Sequence, residues 1–173
     1  MSVKFGCAKL KNEFNLAVSK ANSLAMNEVN NLAAAQQQFS ERRIMMAESI
    51  MLNKSKDFAV EVIKICRKIK ENKGEASLVN QLIRCATSIG ANIHESKYAH
   101  STADFIAKMQ IALKECYETE YWLELLFRTE CMSDEEYGKL NAECGNIRRM
   151  LISSINTVKS NNEGKQAVDS SLK

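Results

Sequence analysis

"LIRCATSIGANIHES", residues 82–96, decides the fold of this chain. Leu82, Ala86, Ile89 and Ile93 recur at steps of 4, 3 and 4, and Leu78 stands four residues before them. That spacing places apolar side chains on one stripe of an α-helix. The remaining residues are unlike a surface helix, which prefers longer and better helix formers. Ser88, Gly90 and Ala91 are small, and Arg84, Ser88, Asn92 and Glu95 make a polar edge beside the stripe. Small residues let helix backbones approach closely. A polar edge facing another helix must find partners, because unsatisfied buried polar groups are costly. The stretch reads as a helix from about Ser77 to Tyr98 carrying a structural polar network of Arg84, Ser88, Asn92 and Glu95, joined by Glu115 and Glu118 of the next helix. The alternative is a solvated edge with no partner.

Working outward, three more amphipathic segments appear. Lys54 to Glu71 carries Phe58, Val62, Ile65 and Ile69 on one side, with Ser55 as N-cap and Gly74 as stop. "STAD" opens the next helix, with Ser101 as N-cap and Asp104 as a short capping-box partner; Phe105, Met109, Ala112, Cys116 and Leu123 follow, to about Arg128. "SDEE" opens the last, where Ser133 and Glu136 form a standard box; Tyr137, Leu140, Cys144, Ile147, Leu151 and Val158 then keep a coiled-coil-like 3–4 spacing. The absence of proline, with only six glycines, removes the usual punctuation of β proteins. The expected fold is all-α: an antiparallel up-and-down four-helix bundle over 51–161. Before it lies an N-terminal helical extension, residues 1–50. Its stripe of Leu10, Phe14, Ala17, Ala21 and Leu24 is thin and fades after Leu24. Residues 162–173 read as a frayed tail. Met45, Met46 and Met51 each offer a start, and a chain beginning at Met51 is expected to fold.

Composition narrows the function. The chain of 173 residues is 45% hydrophobic and 26% charged, as in a soluble globular protein. No uninterrupted apolar segment suggests a signal peptide or a membrane span. The six cysteines form no C-x-x-C pair, so free thiols in the cytoplasm are expected. Glu95, Glu115 and Glu118 could suggest a carboxylate metal site or an enzyme. Di-iron bundles, however, need Glu-x-x-His twice, and neither His94 nor His100 follows a glutamate by three. No nucleophile elbow or phosphate-binding loop is present. No catalytic residue, cofactor or metal is expected.

A net charge of +3 does not announce nucleic-acid binding, but it leaves room for local patches. Lys64, Arg67, Lys68, Lys70 and Lys73 crowd the end of one helix, and Arg148 with Arg149 sits on the last. Phosphate contact is the mode such cations suggest. A solvated cluster favoured by the helix dipole is the bland alternative.

Together, "NKSKDFAVEVIKICRKI" and the run from Leu82 to Leu126 resemble a bacterial four-helix-bundle family first described from intervening sequences in large-subunit ribosomal RNA genes. The accessory variability proteins of diversity-generating retroelements look like relatives. The resemblance runs from about Lys54 to Asn161. It rests on Ser88-x-x-Ala91-Asn92-Ile93-x-Glu95, Ser101-x-x-Asp104-Phe105, Ala112-Leu113-Lys114-Glu115 and Glu120-x-Trp122-Leu123. Where that family often has glycine after the glutamate, this chain has Ser96. The resemblance implies a ring-like homo-oligomer, a pentamer as in characterised relatives. It also implies association with RNA for some members, with a reverse transcriptase as a candidate partner and no established enzymatic activity. A protein-binding adaptor or structural oligomer without a nucleic-acid role is the competing reading.

Overall fold

The structure is a computed structural model that describes the backbone of residues 3–71 and 76–171; the side chains it describes begin at 15 and omit 17, 41, 44, 163 and those beyond 164. Four helices follow in order: α1 (Val3–Glu71), α2 (Ala76–Ser96), α3 (Thr102–Arg128) and α4 (Asp134–Ser171). Two compact units, Met1–Met45 and Met46–Lys173, divide the chain. In the first, the described side chains from Val18 through Phe39 are exposed.

The second unit is the bundle. Contacts between neighbouring helices fall in reversed order along the chain, so each pair is antiparallel. Ser55 and Cys66 of α1 meet Gly90 and Val79 of α2. Arg84 and Glu95 of α2 meet Glu118 and Lys108 of α3. Tyr117 and Phe127 of α3 meet Arg148 and Tyr137 of α4, and Glu61 and Lys68 of α1 meet Lys139 and Glu136 of α4. The core is built from the expected stripes: Phe58, Val62 and Ile69; Leu82, Ala86, Ile89 and Ile93; Met109, Ala112, Cys116 and Leu123; Leu140, Cys144, Ile147 and Leu151. Val79, Cys85, Leu126 and Ile155 are buried beside them, while Leu78, Ile65, Phe105 and Tyr137 pack only partly against the core.

Three local expectations need correction. Ser55 caps nothing, because α1 continues through it; its hydroxyl donates to the Leu52 carbonyl at 2.7 Å inside the helix. This back-bonding is how a serine satisfies itself when its chain stays helical. Met51 and Leu52 are buried at 1% and 6% exposure, so the core begins before Phe58. α4 remains helical to Ser171, past the boundary at 161. Gly74 lies outside the described residues.

The other caps are as the sequence suggests. Ser101 Oγ accepts from the Asp104 amide at 3.1 Å, and Asp104 reaches back to the His100 amide at 3.1 Å. Ser133 and Glu136 exchange bonds of 3.2 and 3.0 Å. Ser96 ends α2 with its hydroxyl on the Ile93 carbonyl at 2.9 Å, and the turn to α3 adopts no positive φ. That turn needs no glycine, which explains why serine serves at 96. α3 ends in a left-handed residue, Glu130 at φ 58°. The amides of Glu130 and Cys131 bond to the carbonyls of Phe127 and Leu126, both at 2.9 Å, which is a Schellman closure.

Gly90 marks the close approach of α1 and α2. A Cβ there would stand 3.2 Å from Ser55 Oγ. Gly138, by contrast, has open space around it. Gly90→Leu is therefore expected to cost about 1–3 kcal/mol through overpacking. Gly138→Ala should instead gain up to about 1 kcal/mol of helix propensity. Urea melts of the two variants check this pair of opposite signs; equal effects would remove the close approach as a constraint.

Candidate nucleic-acid interface

The cations that the sequence groups together have different fates. On α1, Lys64 donates to Glu61 at 2.8 Å, and Lys139 of α4 reaches the other oxygen of that carboxylate at 2.9 Å. These two hydrogen bonds hold the Glu61 carboxyl down to about 2. Lys68 crosses to Glu136 at 2.7 Å, which lowers that carboxyl as well. Three lysines thus face two glutamates, and little net charge is left on this side. Among the described residues Lys70 donates to the neutral Asn80, at 2.7 Å. Arg67 is exposed and has no ion pair or hydrogen bond among the described residues. Lys73 lies outside them.

On α4, Arg148 is half-buried. It donates to Glu120 at 2.8 Å, and its guanidinium lies 5.4 Å from the centre of the Tyr117 ring. Arg149 is exposed and donates to the neutral Asn146. Arg67, Lys70 and Arg149 are therefore the three named cations that no described carboxylate neutralises. They do not form one patch. α1 runs antiparallel to α4, so Arg149 lies near the level of Lys54, about 20 Å along the bundle from Arg67. Between them lies a groove of about 200 Å³ lined by Lys54, Asp57, Phe58, Glu61, Glu143, Asn146 and Ile147. Its charged lining is mainly acidic, which suits no phosphate.

The six residues of the polar network also separate. Arg84 reaches Glu118 directly and stands 3.9 Å from Glu115, while Trp122 donates to Glu118 at 3.4 Å. Asn92 turns back to the Ser88 carbonyl of its own helix at 2.8 Å. Glu95 is exposed and pairs with Lys108 at 2.6 Å. Arg84, Glu115 and Glu118 form one cluster; Ser88 and Asn92 make no bond to another helix among the described residues; Glu95 stands apart. The partners that the sequence missed are Glu61, Lys108, Glu120, Glu136 and Lys139. Only Glu61 carried a local signal, its i, i+3 spacing to Lys64.

Four thiols, Cys66, Cys85, Cys116 and Cys144, are buried in the bundle. Burial pushes the Cys66 thiol up to about 12 and the Cys85 thiol to about 11; Cys144 is raised by its hydrogen bond with Cys116 and by burial. Thiols held protonated are poor nucleophiles and poor metal ligands. Among the described residues, no three His, Cys, Asp or Glu side chains stand together as a metal site. No described helix is long and apolar enough to cross a membrane.

Residues 47–153 match the family described as 23S rRNA-intervening sequence protein. The chain belongs to that family. The match opens one residue inside the second compact unit and takes in the bundle cations from Lys64 to Arg149. A crystal structure of a protein of unknown function from the S23 ribosomal protein family of Bacteroides thetaiotaomicron is similar, at 44% identity and a TM-score of 0.61. The similarity covers 64% of this chain and 98% of that one. No curated protein matches the chain. Residues 1–46 lie outside the family match.

Glu115 has a consequence of its own. It is 9% exposed, and one of its oxygens is buried without a hydrogen bond among the described residues. Burial, and then the neighbouring Glu118, raise its carboxyl; Arg84 and Lys114 oppose this only in part. A carboxyl raised by folding makes the native state hold more protons, so stability falls as pH rises from the unfolded value through the folded one. The neutral, isosteric Glu115→Gln should therefore be at least as stable as wild type at pH 7, with the difference closing near pH 4. Urea midpoints at the two pH values decide it. A less stable Gln variant at pH 7 would mean that attraction to Arg84 outweighs the cost of burial.

Proposed function

We propose that this chain is a non-enzymatic helical-bundle protein of the cytoplasm that assembles with itself, as a pentameric ring, and binds RNA or a protein–RNA complex through exposed cations. A reverse transcriptase bound to its RNA would be such a complex. Family membership over residues 47–153 carries the reading, because the family is described as 23S rRNA-intervening sequence protein. The geometry adds which cations are suited to it. Arg67, Lys70 and Arg149 are free of carboxylates among the described residues, so they meet phosphate without first giving up an ion pair. Lys64, Lys68 and Arg148 are secondary, since each already faces a glutamate.

Two or three free charges per subunit bind a phosphate chain weakly. A closed ring repeats them, and repeated weak contacts add through effective concentration. Each phosphate contact releases counterions, so binding falls steeply with salt. The expected outcome of a salt titration of RNA binding is that Arg67→Ala/Lys70→Ala lowers affinity and salt slope more than Lys64→Ala/Lys68→Ala does. Equal effects would show that the ion pairs do not matter. No binding by wild type at low salt would leave the adaptor reading.

The outer face of α3 supports self-assembly. Ile111, Tyr117 and Tyr121 are 43%, 51% and 58% exposed on neighbouring turns. Exposed aromatic and apolar clusters of this kind mark protein contacts. The same face serves a protein partner in the adaptor reading. Tyr121→Glu should lower the mass found by sedimentation without lowering the melting midpoint, while an unchanged mass would remove this face from the interface.

A further inference from the structure

The N-terminal stripe does not fade at Leu24. In the helix that runs through this segment, Ala25, Val29, Leu32 and Phe39 share a face with Ala21, at steps of 4, 4, 3 and 7. The two consecutive steps of four break the 3–4 alternation and hide the continuation from a heptad reading. Val29, Leu32 and Phe39 are 60%, 64% and 66% exposed. Glu28 and Arg43 are exposed on the same face, and Arg42 flanks it. An apolar helical stripe in water is stable only when another surface covers it.

We infer that this face pairs with the same segment of a second copy of the chain, antiparallel, about a centre between Ala35 and Gln36. Charge complementarity selects this occupant and this direction. In a parallel, in-register pair, Arg43 would face Arg43 and Glu28 would face Glu28, and like charges across a seam are destabilising. Reversed about the stated centre, Glu28 of each copy meets Arg43 of the other, twice per pair. Leu32 then meets Phe39, also twice. Within one chain, Glu28 and Arg43 are fifteen residues apart on the helix, about 22 Å, too far to pair with each other. The complementarity is therefore usable only between copies. This pairing lies outside the family match and needs neither RNA nor the α3 face.

The test is sedimentation equilibrium of the full chain carrying Tyr121→Glu, so that the α3 face proposed above does not contribute. Four forms are compared: the parent, Glu28→Arg, Arg43→Glu, and the double exchange. The parent is expected to self-associate, each single exchange to weaken that association about tenfold, and the double exchange to restore it. A double exchange no better than the singles would overturn the antiparallel pairing. A parent that stays monomeric would overturn the seam altogether. Neither result bears on RNA binding, which the salt titration reads independently.

Discussion

The bundle depends on one close contact, that of α1 with α2 at Ser55 and Gly90. Burial of one apolar stripe from each helix provides the driving force, at about 25 cal/mol for each Å² of apolar surface removed from water. That burial is complete only if the helices come near enough for the stripes to interlock. Gly90 has no side chain to hold α1 away, and Ser55 opposite it is small and internally satisfied. Phe58 and Val62 of α1, and Ile89 and Ile93 of α2, then reach the same core with 1% exposure or less. The small polar character of the stretch around Gly90 is a packing requirement, and nothing in it has to act on a substrate.

The charges outside that core are arranged more for the fold than for a ligand. Glu61 is shared between Lys64 and Lys139, and Lys68 and Arg148 each cross to a glutamate of another helix. The exposed pairs among them contribute only about 0–1 kcal/mol each, while Arg148 and Glu120 are half-buried. All of these pairs cancel the positive field that a count of basic residues suggests. Of the cations named above, Arg67, Lys70 and Arg149 stay unneutralised among the described residues, spread along the bundle. This fits weak, non-specific phosphate contact repeated by assembly better than a single tight site.

Arg84, Glu115 and Glu118 show the same logic with a different sign. Two carboxylates share one guanidinium, and the more buried of them is left with an oxygen that has no hydrogen bond among the described residues. A metal site would need further ligands converging there. Among the described residues Glu95 is committed to Lys108, and no three His, Cys, Asp or Glu side chains stand together as a metal site. The cluster orders α2 against α3 at some cost in burial.

The sequence by itself determined the helices of the bundle, two of their caps and most of the core. Periodicity and capping are local properties, readable within one or two turns: the Ser133 to Glu136 box and the Leu82 to Ile93 stripe needed no knowledge of the rest of the chain. Where a local signal was ambiguous, the reading failed. Ser55 resembles a cap but lies inside a continuous helix, and the left-handed Glu130 closes α3 with no glycine to announce it. The candidate interface was less legible still. Lys64, Arg67, Lys68 and Lys70 look alike in sequence, and only the tertiary structure decided which are neutralised, because Glu136 and Lys139 come from a helix some seventy residues away in the chain. Charge pairing acts through space over a few ångströms, so it is set by how helices pack rather than by what stands next in the chain.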